Sequence, residues 1–100
     1  MDVEEIERNI EIAANLLKAL SNEKRLLIIC ALYKGEKSVR ELEEIVGLSQ
    51  SALSQHLARL RLDKLVNTRR EAQTIFYSLH DRATKAVLRC LYDIYAPEEQ

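Results

Sequence analysis

Between Ser49 and Leu65 the chain reads SQSALSQHLARLRLDKL, and its polar side chains are unusual for a surface helix. At about 100° per residue, Leu53, Leu57 and Leu60 fall within one narrow arc. Ser51, Gln55 and Leu62 lie opposite, flanked by Ser54, Ala58 and Arg59. An ordinary amphipathic helix would carry Glu and Lys on that outer face. This one offers hydroxyls and amides that can hydrogen-bond to base edges, with arginines just beyond that can reach phosphates. The alternative is a solvated face that happens to lack acids.

Few other groups could do chemistry. The chain has two cysteines, Cys30 and Cys90, and two histidines, His56 and His80. A zinc site wants about four N or S ligands, so no metal is expected. With two glycines there is no phosphate-cradling loop, no HExxH occurs, and no nucleophile has an evident His partner. An enzyme and a bound cofactor are therefore not expected.

These residues must be held by something small. One hundred residues make one domain, and a chain of that length buries only about two-thirds of its unfolded surface. At 47% apolar residues it carries more than one such core hides, which implies oligomerisation. Five aromatics, one Pro and two Gly argue for helices over a turn-rich β protein. The net charge is −1, but residues 1–23 carry −4 and residues 48–82 carry +3, so the basic end coincides with the polar helix. No run reaches the 18 or so apolar residues of a membrane span, and the acidic start is unlike a signal peptide. Two cysteines without secretory context read as reduced thiols in a cytoplasmic protein.

In chain order, Val3, Ile6, Ile10, Ala13, Ala14 and Leu17 form one stripe on an acidic helix running from Asp2 to about Leu20. Ser21 or Asn22 can cap a second helix ending at Gly35 in an αL conformation; it is apolar on every side from Leu26 to Leu32, hence central. Ser38-Val39-Arg40-Glu41 fits a capping box and opens a short helix, with Leu42, Ile45 and Val46 facing in and Gly47 closing it. Two helices joined by a tight Gly turn are a helix-turn-helix. Beyond Leu65 the period becomes alternating. Residues 66–70 and 74–79 read as strands joined by Glu71-Ala72-Gln73, a hairpin that must pack on the helices to be stable. Asp81 can cap a final helix with Ala83, Ala86, Val87, Cys90, Leu91 and Ile94 on one face, stopped by Pro97.

The fold expected is mostly α with a small β-hairpin, a winged helix-turn-helix of order α-α-α-α-β-β-α. It is read as a single DNA-binding domain over 1–100, with the helix-turn-helix about 38–62, the wing about 65–79, and a homodimer formed through helices at about 2–20 and 81–96. Order and length resemble the ArsR/SmtB-type winged-helix regulators. LLKALSNEKRLLIICAL, VGLSQSALSQHLARLR and LVNTRREAQTIFYSL resemble its HlyU-like and NolR-like branch. The resemblance implies a dimeric transcriptional regulator, a repressor on an imperfect inverted repeat of double-stranded DNA, with the wings in the minor groove. By motif, Ser49, Gln50, Ser51, Ser54, Gln55 and His56 are the expected groove residues. Arg59, Arg69, Arg70 and Gln73 are expected on backbone or minor groove, and Arg25 resembles a phosphate-contacting position. The helical projection independently supports Ser51, Ser54, Gln55 and Arg59; it puts His56 at the edge of the buried face, open to either role. The rival class is a helical protein-interaction module that binds no DNA.

Metal-sensing relatives carry Cys-x-Cys ahead of the recognition helix, where this chain has Val39-Arg40-Glu41-Leu42-Glu43. Sulfur-sensing relatives use two thiols. Cys30 matches the first, while the second position falls on Ala96. Cys90 lies six residues earlier, turned about 240° away on a helix. Two readings stand for Cys30 and Cys90: inert packing on apolar faces, or a redox or persulfide switch.

Overall fold

The computed structural model describes residues 2–96. Six helices and three strands follow in the order α1 (Val3–Glu7), α2 (Ile10–Leu20), α3 (Glu23–Tyr33), β1 (Lys37–Ser38), α4 (Val39–Val46), α5 (Gln50–Leu62), β2 (Val66–Glu71), β3 (Thr74–Leu79) and α6 (Arg82–Tyr95). The strands make one antiparallel sheet in the order β1-β3-β2.

The expected first helix is two. Asn9 leaves the helical region (φ −117°, ψ 15°), and its N–H bonds back to Ile6 O at 2.9 Å, three residues away. Asn competes for backbone groups and breaks helices readily. Here the break costs no packing, because α1 buries nothing.

Asn22 caps α3, its side chain accepting from the N–H groups of Lys24 and Arg25. This helix is the hub, packed against α2, α4, α5, α6 and β3. Ile28 and Ile29 are fully buried, but Leu27 is 40% exposed, so α3 is not sealed all round. Gly35 follows with φ +143°, a positive angle suited to glycine but far from the αL region expected for it.

A two-residue strand, β1, precedes α4 and was not evident in the sequence. It pairs Lys37 with Tyr77 and Ser38 with Phe76. On α4, Leu42 and Val46 are buried, whereas Ile45, expected to face in, is 45% exposed.

After α5 the chain reverses in a Schellman motif. Leu65 N–H bonds to Leu60 O at 2.9 Å, and Lys64 N–H bonds to Arg61 O at 3.0 Å. Lys64 takes φ 62° at the position glycine usually fills. The wing runs longer than expected: Glu71 pairs with Thr74, leaving a two-residue turn of Ala72-Gln73 with Ala72 at φ 57°.

Asp81 caps α6 by accepting from Thr84 N–H at 2.8 Å. The core takes Thr84 and Leu88, with Val87 and Leu91 half-buried. Ala83, Ala86, Cys90 and Ile94, on the apolar face expected to pair in a dimer, are exposed in the single chain. The face is divided: Val87 and Leu91 lean on the core and the rest stays outside. Ala96 is extended (ψ 141°), as a following proline favours; Pro97 itself lies outside the described residues.

Candidate nucleic-acid interface

The turn between α4 and α5 sets everything else. Ser38 caps α4 in a complete capping box with Glu41, at 3.2 and 2.9 Å, and Ser38 holds the Glu41 carboxyl below its usual range. At the other end Gly47 sits in the αL region (φ 71°, ψ 31°) and donates its N–H to Glu43 O at 2.9 Å. Among the described residues, nothing beyond its own stretch of chain lies within 4 Å of where a Cβ would stand, so the glycine is needed for its dihedral and not for space. Lys24 of α3 donates to Val46 O at 3.3 Å and ties down the same helix end.

Ser49 then caps α5, its hydroxyl oxygen accepting from Ala52 N–H at 3.2 Å. Leu53, Leu57 and Leu60 are all at most 2% exposed and seat α5 on the core. Gln50, Ser51, Ser54, Gln55, Ala58, Arg59 and Leu62 are exposed, while His56 is half-buried at the margin. The outer face over Gln50–Leu62 thus contains no acid. Its backing is rigid, and its side chains are free to exchange water for base edges.

Arg59 forms an i,i+4 pair with Asp63 at 2.8 Å. Among the described residues, Arg40, Arg61, Lys64 and Arg70 have no ion-pair partner. Arg25, expected on a phosphate, instead donates from Nε to Ala19 O at 2.7 Å and from a terminal nitrogen to Lys18 O at 3.3 Å. It closes the C-terminal end of α2 onto α3.

The wing separates its two arginines. Neighbouring residues of a strand point to opposite faces, and Arg70 stands opposite Ile75 while Arg69 stands opposite Phe76. The Arg70 face continues through Tyr77 and Leu79 into the core. Gln73, Thr74 and Ile75 share a hollow of about 540 Å³ with Arg40 and Glu43 of α4 and Gln50 of α5. Arg40 was missed from sequence. A base in the first turn opposes the helix dipole, and that was the available signal.

The chain matches the family described as "Bacterial regulatory protein, arsR family" over residues 22–68. It is 52% identical to the transcriptional activator HlyU of Vibrio cholerae serotype O1 over 100% of this chain and 93% of that protein. The chain belongs to the arsR family. It is therefore a DNA-binding transcriptional regulator and not an enzyme. It is also 54% identical to the nodulation protein NolR of Rhizobium meliloti, over 88% of this chain and 72% of that one. The crystal structure of the transcriptional repressor BigR from Xylella fastidiosa superposes with a TM-score of 0.92 at 41% identity, covering 98% of this chain and 100% of that chain. The winged helix-turn-helix of this arsR-family chain is thus the architecture of its relatives.

The thiols are separate. Cys30 is half-buried beside Tyr92 and lines an apolar hollow of about 330 Å³ with Leu26, Leu88, Leu91, Tyr95 and Ala96. Burial pushes its thiol pKa up, with Tyr92 and Lys34 pulling it back. Cys90 is exposed on the other side of α6, and neither thiol is in a disulfide. Cys90 thus stands outside the single chain's core, on the outer apolar stripe of α6. Tyr92, two residues on and about 200° around the helix, faces Cys30 instead. No cluster of three or more metal-ligating side chains occurs among the described residues, and no helix among them is long and apolar enough to cross a membrane.

Proposed function

We propose that this regulator acts as a homodimeric repressor, each α5 lying in the major groove of one half of an imperfect inverted repeat. The observation that carries the reading is the acid-free outer face of α5, backed by three buried leucines and flanked by unpaired bases. Support for the dimer comes from apolar side chains left outside. Among the described residues, seven of the ten exposed large apolar side chains (Val3, Ile6, Ile10, Ile12, Leu17, Ile94 and Tyr95) lie on α1, α2 and α6. A two-fold pairing of these helices would set the two α5 helices about one DNA turn apart. Some relatives are named activators and others repressors. Repression needs only the two surfaces described, because a dimer seated on a promoter occludes it.

In this reading one domain spans 1–100, with the helix-turn-helix at about 38–62, the wing at about 65–79 and dimerisation helices at about 2–20 and 81–96. Gln50, Ser51, Ser54 and Gln55 meet base edges, with the remaining O–H of Ser49 and the edge of His56 beside them. Arg59, Arg70, Gln73 and the newly found Arg40 meet the backbone, and Arg25 can use only the guanidinium N–H groups that α2 leaves free. The setting is a reducing cytoplasm, and Cys30 and Cys90 serve as packing and interface residues, not a switch pair.

The test is selection from a random 30-base-pair duplex library, followed by binding at several salt concentrations. The selected sequences should share a two-fold element, and log affinity should fall linearly with log salt. Recovery of unrelated sequences with salt-independent binding would favour the protein-interaction reading.

A further inference from the structure

Arg69 is engaged by two carboxylates and an aromatic ring. Its Nε and one terminal nitrogen donate to the two carboxylate oxygens of Glu36, both at 2.8 Å, in a fork-to-fork pair. Its guanidinium carbon lies 4.5 Å from the centre of the Phe76 ring, a cation–π stack. A second carboxylate, Glu71, stands 3.7 Å from its remaining terminal nitrogen. The guanidinium is thus held by two acids and one ring, on the wing face opposite to Arg70.

Its partner's position gives these contacts a purpose. Glu36 lies two residues before Ser38, the cap of α4, and β1 between them pairs with β3 at Tyr77 and Phe76. Phe76 therefore sits between Ser38 on one side and Arg69 on the other. Val66, Tyr77 and Leu79 bury the base of the hairpin; nearer the tip, the fork adds to the two β1–β3 residue pairs a side-chain tie between β2 and the segment leading into α4.

We propose that Arg69 is a positioning residue. Through Glu36 and Phe76 it fixes the angle of the wing against the start of α4, so that Arg70 and Gln73 on the other side reach the DNA backbone. The proposal rests on the DNA-binding reading above and reassigns one residue within it: Arg69 makes no phosphate contact of its own. A backbone phosphate on Arg69 would have to displace one carboxylate and approach another.

Glu36→Gln separates the alternatives by sign. It keeps the side-chain length and removes the charge that holds the fork. If Arg69 were a phosphate contact, the variant would free it, tighten DNA binding and steepen the salt dependence by about one counterion. A positioning role predicts the reverse: about threefold to tenfold weaker binding to the duplex selected by the wild type, with an unchanged salt slope, on the scale of an exposed but bidentate pair. Arg69→Lys keeps the charge and loses the fork and the stack, so it should weaken binding as much as Arg69→Gln does. The double variant of Glu36→Gln with Arg69→Gln should be no weaker than either single. Hydrogen exchange on the free protein supplies a readout independent of DNA: amides of the β1–β3 pairing should exchange faster in Glu36→Gln. Unchanged or tighter binding by Glu36→Gln, full retention of affinity by Arg69→Lys, or unchanged exchange overturns the proposal. Exchange that responds as expected, in a protein whose wild type binds no duplex, would leave the strut in place and remove the DNA-binding reading.

Discussion

Ile94→Asp tests the dimer on which the two-site geometry depends. In the single chain Ile94 is 61% exposed on the outer stripe of α6, with Ala83, Ala86 and Cys90 near it. Burying a whole isoleucine side chain contributes about 1.5–3 kcal/mol, so hiding the exposed part is worth about 1–2 kcal/mol for each copy. A two-fold interface buries the residue twice, which makes the loss about 2–4 kcal/mol before the desolvation of two carboxylates is added. The dimer dissociation constant should rise by about 30-fold to 1,000-fold, measured by sedimentation equilibrium. The monomer should keep its fold, since the side chain takes no part in the core. Cys90 offers a second readout. Pairing should shield it from a thiol reagent, and the substitution should expose it, while half-buried Cys30 stays slow in both forms. A variant that dimerises as tightly as the wild type, with Cys90 equally reactive, would refute the assignment of this stripe.

Other consequences follow from the same geometry. Gln55→Ala should relax sequence preference at one position of each half-site and cost about 1–3 kcal/mol there, whereas Arg70→Ala should weaken all duplexes alike and lower the salt slope by about one; competition binding on matched and random DNA separates the two. Thr84 is fully buried, and its hydroxyl has no partner among the described residues. Thr84→Val, nearly the same shape, should therefore raise stability by about 1 kcal/mol and the melting temperature by about 4–8 °C. Glu41 in the capping box has its pKa lowered from 4.5, so its charge stabilises the fold above that value and ceases to do so as pH falls through the depressed one. The stability gap between wild type and Glu41→Gln in denaturant titrations should accordingly be constant near neutrality and shrink on the acid side of 4.5. Polysulfide treatment should leave DNA binding of wild type and Cys30→Ser alike, because Tyr92, and not a second thiol, faces Cys30.

The helix-turn-helix was legible because its determinants are local. The capping box spans four residues, Gly47 acts through its own dihedral, and the three leucines of α5 repeat at helical spacing. What sequence missed depends on distance or on a rule broken nearby. The Schellman turn after α5 carries Lys64 where glycine is usual, so no signal marked it. Strand β1 exists only because β3 pairs with it from nearly forty residues away. Arg69 and Arg70 are adjacent and chemically identical in the sequence. Pleat and a carboxylate 33 residues upstream make them different. On α6 the apolar face was legible, but not that Thr84 and Leu88 would take the core, so that only Val87 and Leu91 of that face lean inward.

Hydroxyl-radical footprinting of the protein on its selected duplex tests the central claim most directly. The account predicts two protected patches related by a two-fold axis, with major-groove contacts about 10–10.5 base pairs apart centre to centre and weaker minor-groove protection outside them from the wings. A single protected patch, or protection without symmetry, would contradict a dimer that places one α5 in each half-site.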